Sequence, residues 1–254
     1  MSKRLSICML TIDRFEITKQ TVEHNLANCG LPADEVELLV VDNGSTDAAL
    51  KEWLISIKPQ WLWLNEANEG VARMQNRMID FAQGEYICLF GNDILMPDNW
   101  AKDMIEAHET VERECLGVWP GLVGIDCLNK AKEGTLMQVN DSLSVVTAWN
   151  VFGTAIFNRE RITTNVGYLC NRYHPYGLED SDFHYRLNKA GFTNFYLSGK
   201  TSQHIGNDVG EATPYRQSKW DSLSANLPIW HEQKARYDDN NSYYLDRWNY
   251  IDRM

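Results

Sequence analysis

Asn92 and Asp93 stand where a chain can do chemistry. The apolar run Tyr86, Ile87, Cys88, Leu89, Phe90 stops at Gly91-Asn92-Asp93, then passes through Ile94-Leu95-Met96-Pro97 into a helical pattern opened by Asp98. A buried strand therefore delivers an amide and a carboxylate at its C-terminal end, where open α/β sheets bind ligands. A carboxylate beside oxygen donors at such an end suits a hard divalent cation carrying a diphosphate. The same two residues also make plain strand-to-helix turns, so the pair decides nothing alone. A second acidic group, Glu179, Asp180 and Asp182, follows Tyr176-Gly177 and opens a helix continued by Phe183 and Leu187. The helix dipole accounts for one acid in a first turn; three exceed what a cap needs. A carboxylate of this group within reach of a hydroxyl can take its proton. His204, in a His-Ile-Gly loop after the last strand, fits a metal or phosphate contact.

The elements that must position these groups are legible as apolar runs. Leu5 to Ile12 reads as a first strand, and a helix follows with Ile17, Val22, Leu26 and Cys29 on one face, closed by Gly30. Val36 to Val41 is almost continuously aliphatic, as a strand covered on both faces should be, and ends in Asp42-Asn43-Gly44-Ser45-Thr46-Asp47. A helix with Leu50, Trp53, Leu54 and Ile57, a short strand Trp61 to Leu64, a polar loop and a helix with Val71, Met74, Met78 and Phe81 lead to the central strand. Three β-to-α units and a fourth strand predict a largely parallel, doubly wound sheet. Thr11, Asp13, Asp42, Asn43, Asn68, Asn92 and Asp93 then share one rim. Beyond Trp100 the regularity breaks: an amphipathic helix to Cys115, a strand-like Gly117 to Cys127, a polar hairpin or loop over 130–144, and a short strand Gly191 to Leu197. Residues 1–212 are expected to form one α/β domain, and 213–254 a helical, aromatic-rich extension packed on the domain edge or against a partner, including a second copy.

Composition narrows the function classes. With 254 residues, 44% of them apolar, the chain can bury a full α/β core. A net charge of -11 argues against a general polyanion binder, whose affinity needs a positive surface. No apolar stretch approaches the ~20 residues that span a bilayer, and nothing at the start resembles a signal peptide. The six cysteines lack CxxC or metal-ligand spacing and sit mostly in apolar runs, so free buried thiols and a cytoplasmic location are expected.

Taken together these segments resemble family 2 glycosyltransferases of the GT-A fold. The resemblance rests on the strand ending in Thr11; Val40-Val41-Asp42-Asn43-Gly44-Ser45-Thr46-Asp47; Asn68-Glu69-Gly70-Val71-Ala72 with Asn76; the strand into Asn92-Asp93; Gly153 ahead of Phe157-Asn158-Arg159-Glu160; Glu179-Asp180-Ser181-Asp182 with Arg186; and His204-Ile205-Gly206. These occur in the family's order over roughly Leu5 to Gly206, and Tyr243 to Trp248 is similar to the closing segment of some members.

The resemblance implies a Rossmann-like GT-A domain with a nucleoside-diphosphate sugar as donor, UDP favoured, and Mn2+ or Mg2+ as cofactor. Asp42 would bind the nucleobase, with Thr11, Asp13 and Asn43 lining the same pocket. Asn68, Gly70, Arg73 and Asn92 would lie near the nucleoside and diphosphate, although the family's basic residue often falls nearer Gln75. Asp93 would be the last residue of the metal-binding DxD motif, with His204 as a further ligand. The first aspartate of that motif is replaced by Gly91, so one metal-facing carboxylate is missing. Asp180 would be the general base of an inverting transfer, with Glu179 the competing candidate and Asp182 structural. Tyr173, Tyr176 and Trp149 could wall a sugar site or simply pack. The acceptor implied is a hydroxyl of a glycan, a lipid-linked sugar, a protein or a modified nucleobase. The alternative is a catalytically silent sugar-nucleotide or glycan-binding module on the same fold.

Overall fold

The computed structural model describes residues 3–128, 130–151, 153–206, 214–240 and 243–245. β1 (Leu5–Thr11), β2 (Val36–Asp42), β3 (Trp61–Leu64) and β4 (Tyr86–Phe90) run parallel and are joined by α1 (Phe15–Ala27), α2 (Ala48–Ser56) and α3 (Val71–Phe81). This is the doubly wound unit that the aliphatic runs predict. After β5 (Ile94–Leu95) and α4 (Trp100–Glu114) the sheet becomes mixed. β6 (Trp119–Asp126) is followed by a hairpin of β7 (Leu136–Gln138) and β8 (Ser144–Ala148), then by β9 (Ala155–Asn158), which inserts antiparallel between β4 and β6. α5 (Arg159–Asn165) and α6 (Glu179–Lys189) lead to β10 (Phe192–Thr201), which runs parallel to β6. The nine strands lie in the order β3-β2-β1-β4-β9-β6-β10-β8-β7.

Period-two alternation sorts the strand residues into two cores, one on each face. Ile7, Met9, Val40, Cys88 and Phe90 pack with Val22, Leu50, Leu54, Trp100 and Met104 of α1, α2 and α4. Cys8, Leu39, Val41 and Ile87 pack with Met74, Met78, Ile162, Phe183 and Leu187 of α3, α5 and α6. The parallel strands can be aliphatic throughout because helices cover both sides. Two boundaries differ from expectation. β10 continues to Thr201, past the predicted end at Leu197, because a register shift after Tyr196 lets it rejoin β6 at Asp126. Leu26 is half-exposed, since the buried face of α1 runs through Thr18, Thr21, Val22 and Asn25. All six cysteines are free, four of them buried.

The C-terminal region folds back on its own chain. α7 (Pro214–Asn240) lies against α6 and grips the loop before it: Ser222 Oγ donates to Tyr176 O at 2.6 Å, and Asn226 Nδ2 donates to Tyr176 O and Gly177 O at 3.0 Å each. Leu245 exchanges backbone hydrogen bonds with Val166 and Tyr168 and packs on Cys170 and Tyr173. Asp246, Arg247 and Trp248 lie outside the described residues.

One buried ion pair ties these parts together. Arg186 donates from Nε to Asp182 Oδ2 at 2.7 Å and from its two Nη atoms to the carbonyls of Val166 and Tyr168. Asp182 Oδ1 accepts from the hydroxyls of Tyr173 and Tyr237 at 3.1 and 2.8 Å. Both charged side chains are 0% exposed. Asp182 is therefore spent on structure, as its place in the helical turn suggested. Removing one partner strands the other charge in the core, which costs about 3–5 kcal/mol. Arg186→Met is accordingly expected to lower unfolding stability by that amount in urea denaturation; a loss under about 1 kcal/mol would mean the network is dispensable.

Candidate active site

The carboxyl ends of β1, β2 and β4 open on a cleft of about 580 Å³. Thr11, Asn43, Asn68, Asn92, Asp93, Glu179, Asp180 and His204 all line it. They come from six separated stretches of chain, and the parallel topology is what gathers the first five. The loop before α6 reaches the cleft because Val71 N donates to Pro175 O at 2.9 Å. Gly70 makes that approach possible: its φ is +87°, and a Cβ there would lie 2.9 Å from His174 Cδ2.

Asparagines organise one end of the cleft. Asn43 Nδ2 donates to Asn68 Oδ1 at 2.8 Å, Asn65 Nδ2 donates to Asn43 Oδ1 at 3.1 Å, and Asn68 Oδ1 also accepts from Gly70 N at 2.9 Å. Asn92 donates to the hydroxyls of Thr11 and Thr18, each at 3.3 Å. Asp42 sits beneath this wall, 0% exposed. Its Oδ1 accepts from the Ser45 backbone and hydroxyl, while Oδ2 is buried with no partner among the described residues. Asp42 is not among the residues that line the cleft. Asp13 and Arg73 stand apart from the cleft lining. Asp13 Oδ1 accepts from the backbones of Thr46 and Asp47 at 2.8 and 3.2 Å, which pins the loop after β1 to the loop after β2. Arg73 pairs with Glu69 at 3.0 Å, whereas Gln75 does line the cleft.

Asp93 and His204 meet through a small separate sheet. β11 (Gln203–His204) pairs antiparallel with β5, setting His204 opposite Ile94, and Ile205 N donates to Asp93 O at 2.8 Å. His204 Nε2 then lies 3.5 Å from Asp93 Oδ2. Gly206 passes so close that a Cβ would fall 2.6 Å from that oxygen and 2.8 Å from His204 Cε1. No group of three or more metal-ligating side chains occurs among the described residues. A carboxylate and an imidazole nevertheless fit a Mn2+ or Mg2+ ion that takes its remaining oxygens from phosphates and water, the usual habit of such ions at nucleotide sites. His204 Nδ1 is buried without a partner among the described residues, so no carbonyl fixes the ring.

The two remaining acids are unequal. Glu179 is 5% exposed, and its Oε2 is buried with no partner among the described residues. Burial, reinforced by the neighbouring Asp180 charge, pushes its pKa up to about 8, so Glu179 is mainly protonated at neutral pH. Asp180 is half-buried; its Oδ1 accepts from Ser181 N at 2.6 Å and from the Ser181 hydroxyl at 3.3 Å. Beside them His184 also lines the cleft; its Nε2 accepts from Val151 N at 3.1 Å, and burial lowers its pKa. Of the three aromatic candidates only Tyr176 lines the cleft. Tyr173 is buried on Asp182, and Trp149 stacks edge-on against Tyr185 outside it. Two contributors carry no readable sequence signal of their own. Ser218, Lys219 and Ser222 of α7 line the cleft with the Lys219 ammonium 5.3 Å over the Tyr176 ring, and Arg14 approaches Asp93.

A mixed sheet with a parallel half, a ligand cleft on its carboxyl rim and a short second sheet that brings a histidine to the aspartate preceding it define a GT-A-type domain. The model of the family described as glycosyl transferase family 2 matches residues 6–152, more than half of the chain, and the chain belongs to that family. No curated protein matches it in sequence. Among solved structures it is similar to GalNAc-T7 with UDP, GalNAc and Mn2+ (TM-score 0.62, 13% identity, 80% of this chain and 44% of that one). It is also similar to Staphylococcus aureus TarS residues 1–349 (0.58, 17%, 81% and 61%) and to the same fragment in complex with UDP-GlcNAc (0.56, 15%, 86% and 64%). At these identities the likeness is one of fold, and the chain spans less than two thirds of each of these structures. Among the described residues no helix is long and apolar enough to cross a membrane.

Proposed function

We propose that the chain transfers a sugar from a nucleoside-diphosphate sugar, UDP favoured, to an acceptor hydroxyl with inversion at the anomeric carbon. The observation that supports this most is the convergence of Asp93 and His204 with Glu179 and Asp180 on one cleft, which a binding module would not need. The nucleoside lies along Thr11, Asn43 and Asn68, and its imide edge would meet the buried Asp42 Oδ2, which has no partner among the described residues, once the ligand opens that wall of the cleft. Asp93 and His204 would hold a divalent cation, which when bound would supply charge neutralisation for the departing diphosphate. The acceptor oxygen forms its bond to the anomeric carbon, the bond from that carbon to the phosphate oxygen breaks, and Asp180 takes the acceptor proton. Protonated Glu179 donates a hydrogen bond beside it and spares the site a second negative charge. Tyr176 and the α7 residues Ser218 and Lys219 form the acceptor side.

The test is nucleoside-diphosphate release from a panel of UDP-, GDP- and dTDP-sugars, with manganese or magnesium and, in parallel, with chelator. Release from a UDP-sugar that chelator abolishes is expected. Donor binding without release would favour the silent sugar-nucleotide module, and failure of every donor both to bind and to react the glycan-binding one.

A further inference from the structure

Arg14 is the third group at the Asp93–His204 pair. It follows β1 in a left-handed conformation, with φ 60°. From there its guanidinium crosses to Asp93, placing Nη1 3.1 Å from Oδ2. That is the oxygen which faces His204 Nε2 at 3.5 Å, and therefore the one a cation shared by the two side chains would use. The contact is largely screened from water, with 17% of the arginine and 13% of the aspartate side chain exposed. Gly206 closes the remaining side: a Cβ there would lie 2.9 Å from Arg14 Nη2 as well as against Asp93 and His204. A guanidinium and a divalent cation cannot share so small a partly buried space without strong repulsion.

We propose that Arg14 is a diphosphate-binding residue which, before the donor arrives, covers the cation site. Donor binding draws it from Asp93 to the diphosphate oxygens and uncovers Oδ2, so nucleotide precedes metal. This rests on the assignment of Asp93 and His204 as metal ligands. Two arguments give the order. The contact to Asp93 is monodentate, whereas a diphosphate offers several oxygens and more charge to the arginine fork. Two protein donors alone make a weak site, and the phosphate oxygens that complete it arrive with the nucleotide.

Manganese affinity, read from the paramagnetic resonance of the free ion, and pyrophosphate affinity, read by calorimetry in chelator, test the idea on the full chain. Pyrophosphate makes the result independent of the nucleobase. Arg14→Gln is expected to bind manganese about tenfold more tightly than the wild type, because it leaves a nearly buried carboxylate uncompensated, and pyrophosphate about tenfold more weakly. Arg14→Lys, which keeps the charge, should stay near the wild type in manganese binding. Unchanged manganese affinity in Arg14→Gln overturns the proposal, as does a gain that persists when Asp93→Asn is added. The metal assignment fails separately, if Asp93→Asn leaves metal-stimulated donor binding intact. A structure of the unaltered chain with UDP and chelator gives a test that needs no variant: the Arg14 guanidinium should be found on the diphosphate, and its retention on Asp93 overturns the proposal.

Discussion

Asp180→Asn should reduce sugar transfer by about 10³-fold while leaving donor affinity within roughly twofold. The substitution keeps the shape of the side chain and the hydrogen bonds that Oδ1 accepts from Ser181, but an amide cannot accept the acceptor proton. The competing base is Glu179, and its environment separates the two. A carboxyl whose pKa is pushed up to about 8 by burial and by Asp180 is protonated over most of the neutral range. If Glu179 were the base, kcat/KM would rise through pH 8 as it ionised; if it is instead needed in its protonated form beside the base, kcat/KM falls there. The same shift has a consequence for stability. Glu179 in the folded chain holds its proton above the pH at which an unfolded glutamate releases it, so its contribution is fully present below about pH 4.5 and declines until about pH 8. Glu179→Gln should remove that decline. Full turnover in Asp180→Asn would take the role from Asp180.

The second large effect belongs to Asp93. Asp93→Ala should lower donor affinity by about 100-fold in manganese and by much less in chelator. Gly91 stands where the resemblance would place the motif's first carboxylate, and no cluster of three ligands stands in reserve among the described residues, so on the proposed reading Asp93 would be the one charged ligand for a cation. Its removal also releases Arg14 from this carboxylate, and the guanidinium can hold part of the diphosphate charge. That is why the chelator measurement should change little. Equal affinities for variant and wild type in manganese would remove Asp93 from the ligand set.

The local order of this chain was written in its residues. Strands covered on both faces must be aliphatic throughout, so β1, β2 and β4 could be read directly, and parallel topology followed from the helices between them. Once those strands are parallel their carboxyl ends share a rim, which brings Thr11, Asn43, Asn92 and Asp93 together without any tertiary knowledge. The three acids at the start of α6 were visible because they exceed what a helix cap requires.

Tertiary structure alone decided the rest, because side-chain direction and long-range pairing leave no local periodic trace. Asp13 and Arg73 carry the right chemistry beside the right motifs, yet one pins two loops and the other pairs with its helical neighbour Glu69. His204 reaches Asp93 only through a two-residue strand, too short to have a signature. Glu179 and Asp180 are adjacent in sequence, and only burial sets them apart, holding the proton on Glu179 and leaving Asp180 half-buried. Lys219 reaches the cleft because Ser222 and Asn226 anchor α7 to the loop before α6, and Arg14 reaches Asp93 by a turn of the backbone at two consecutive left-handed residues, Asp13 and Arg14. Periodicity encodes which face of an element is buried; what a particular polar side chain meets depends on elements far along the chain.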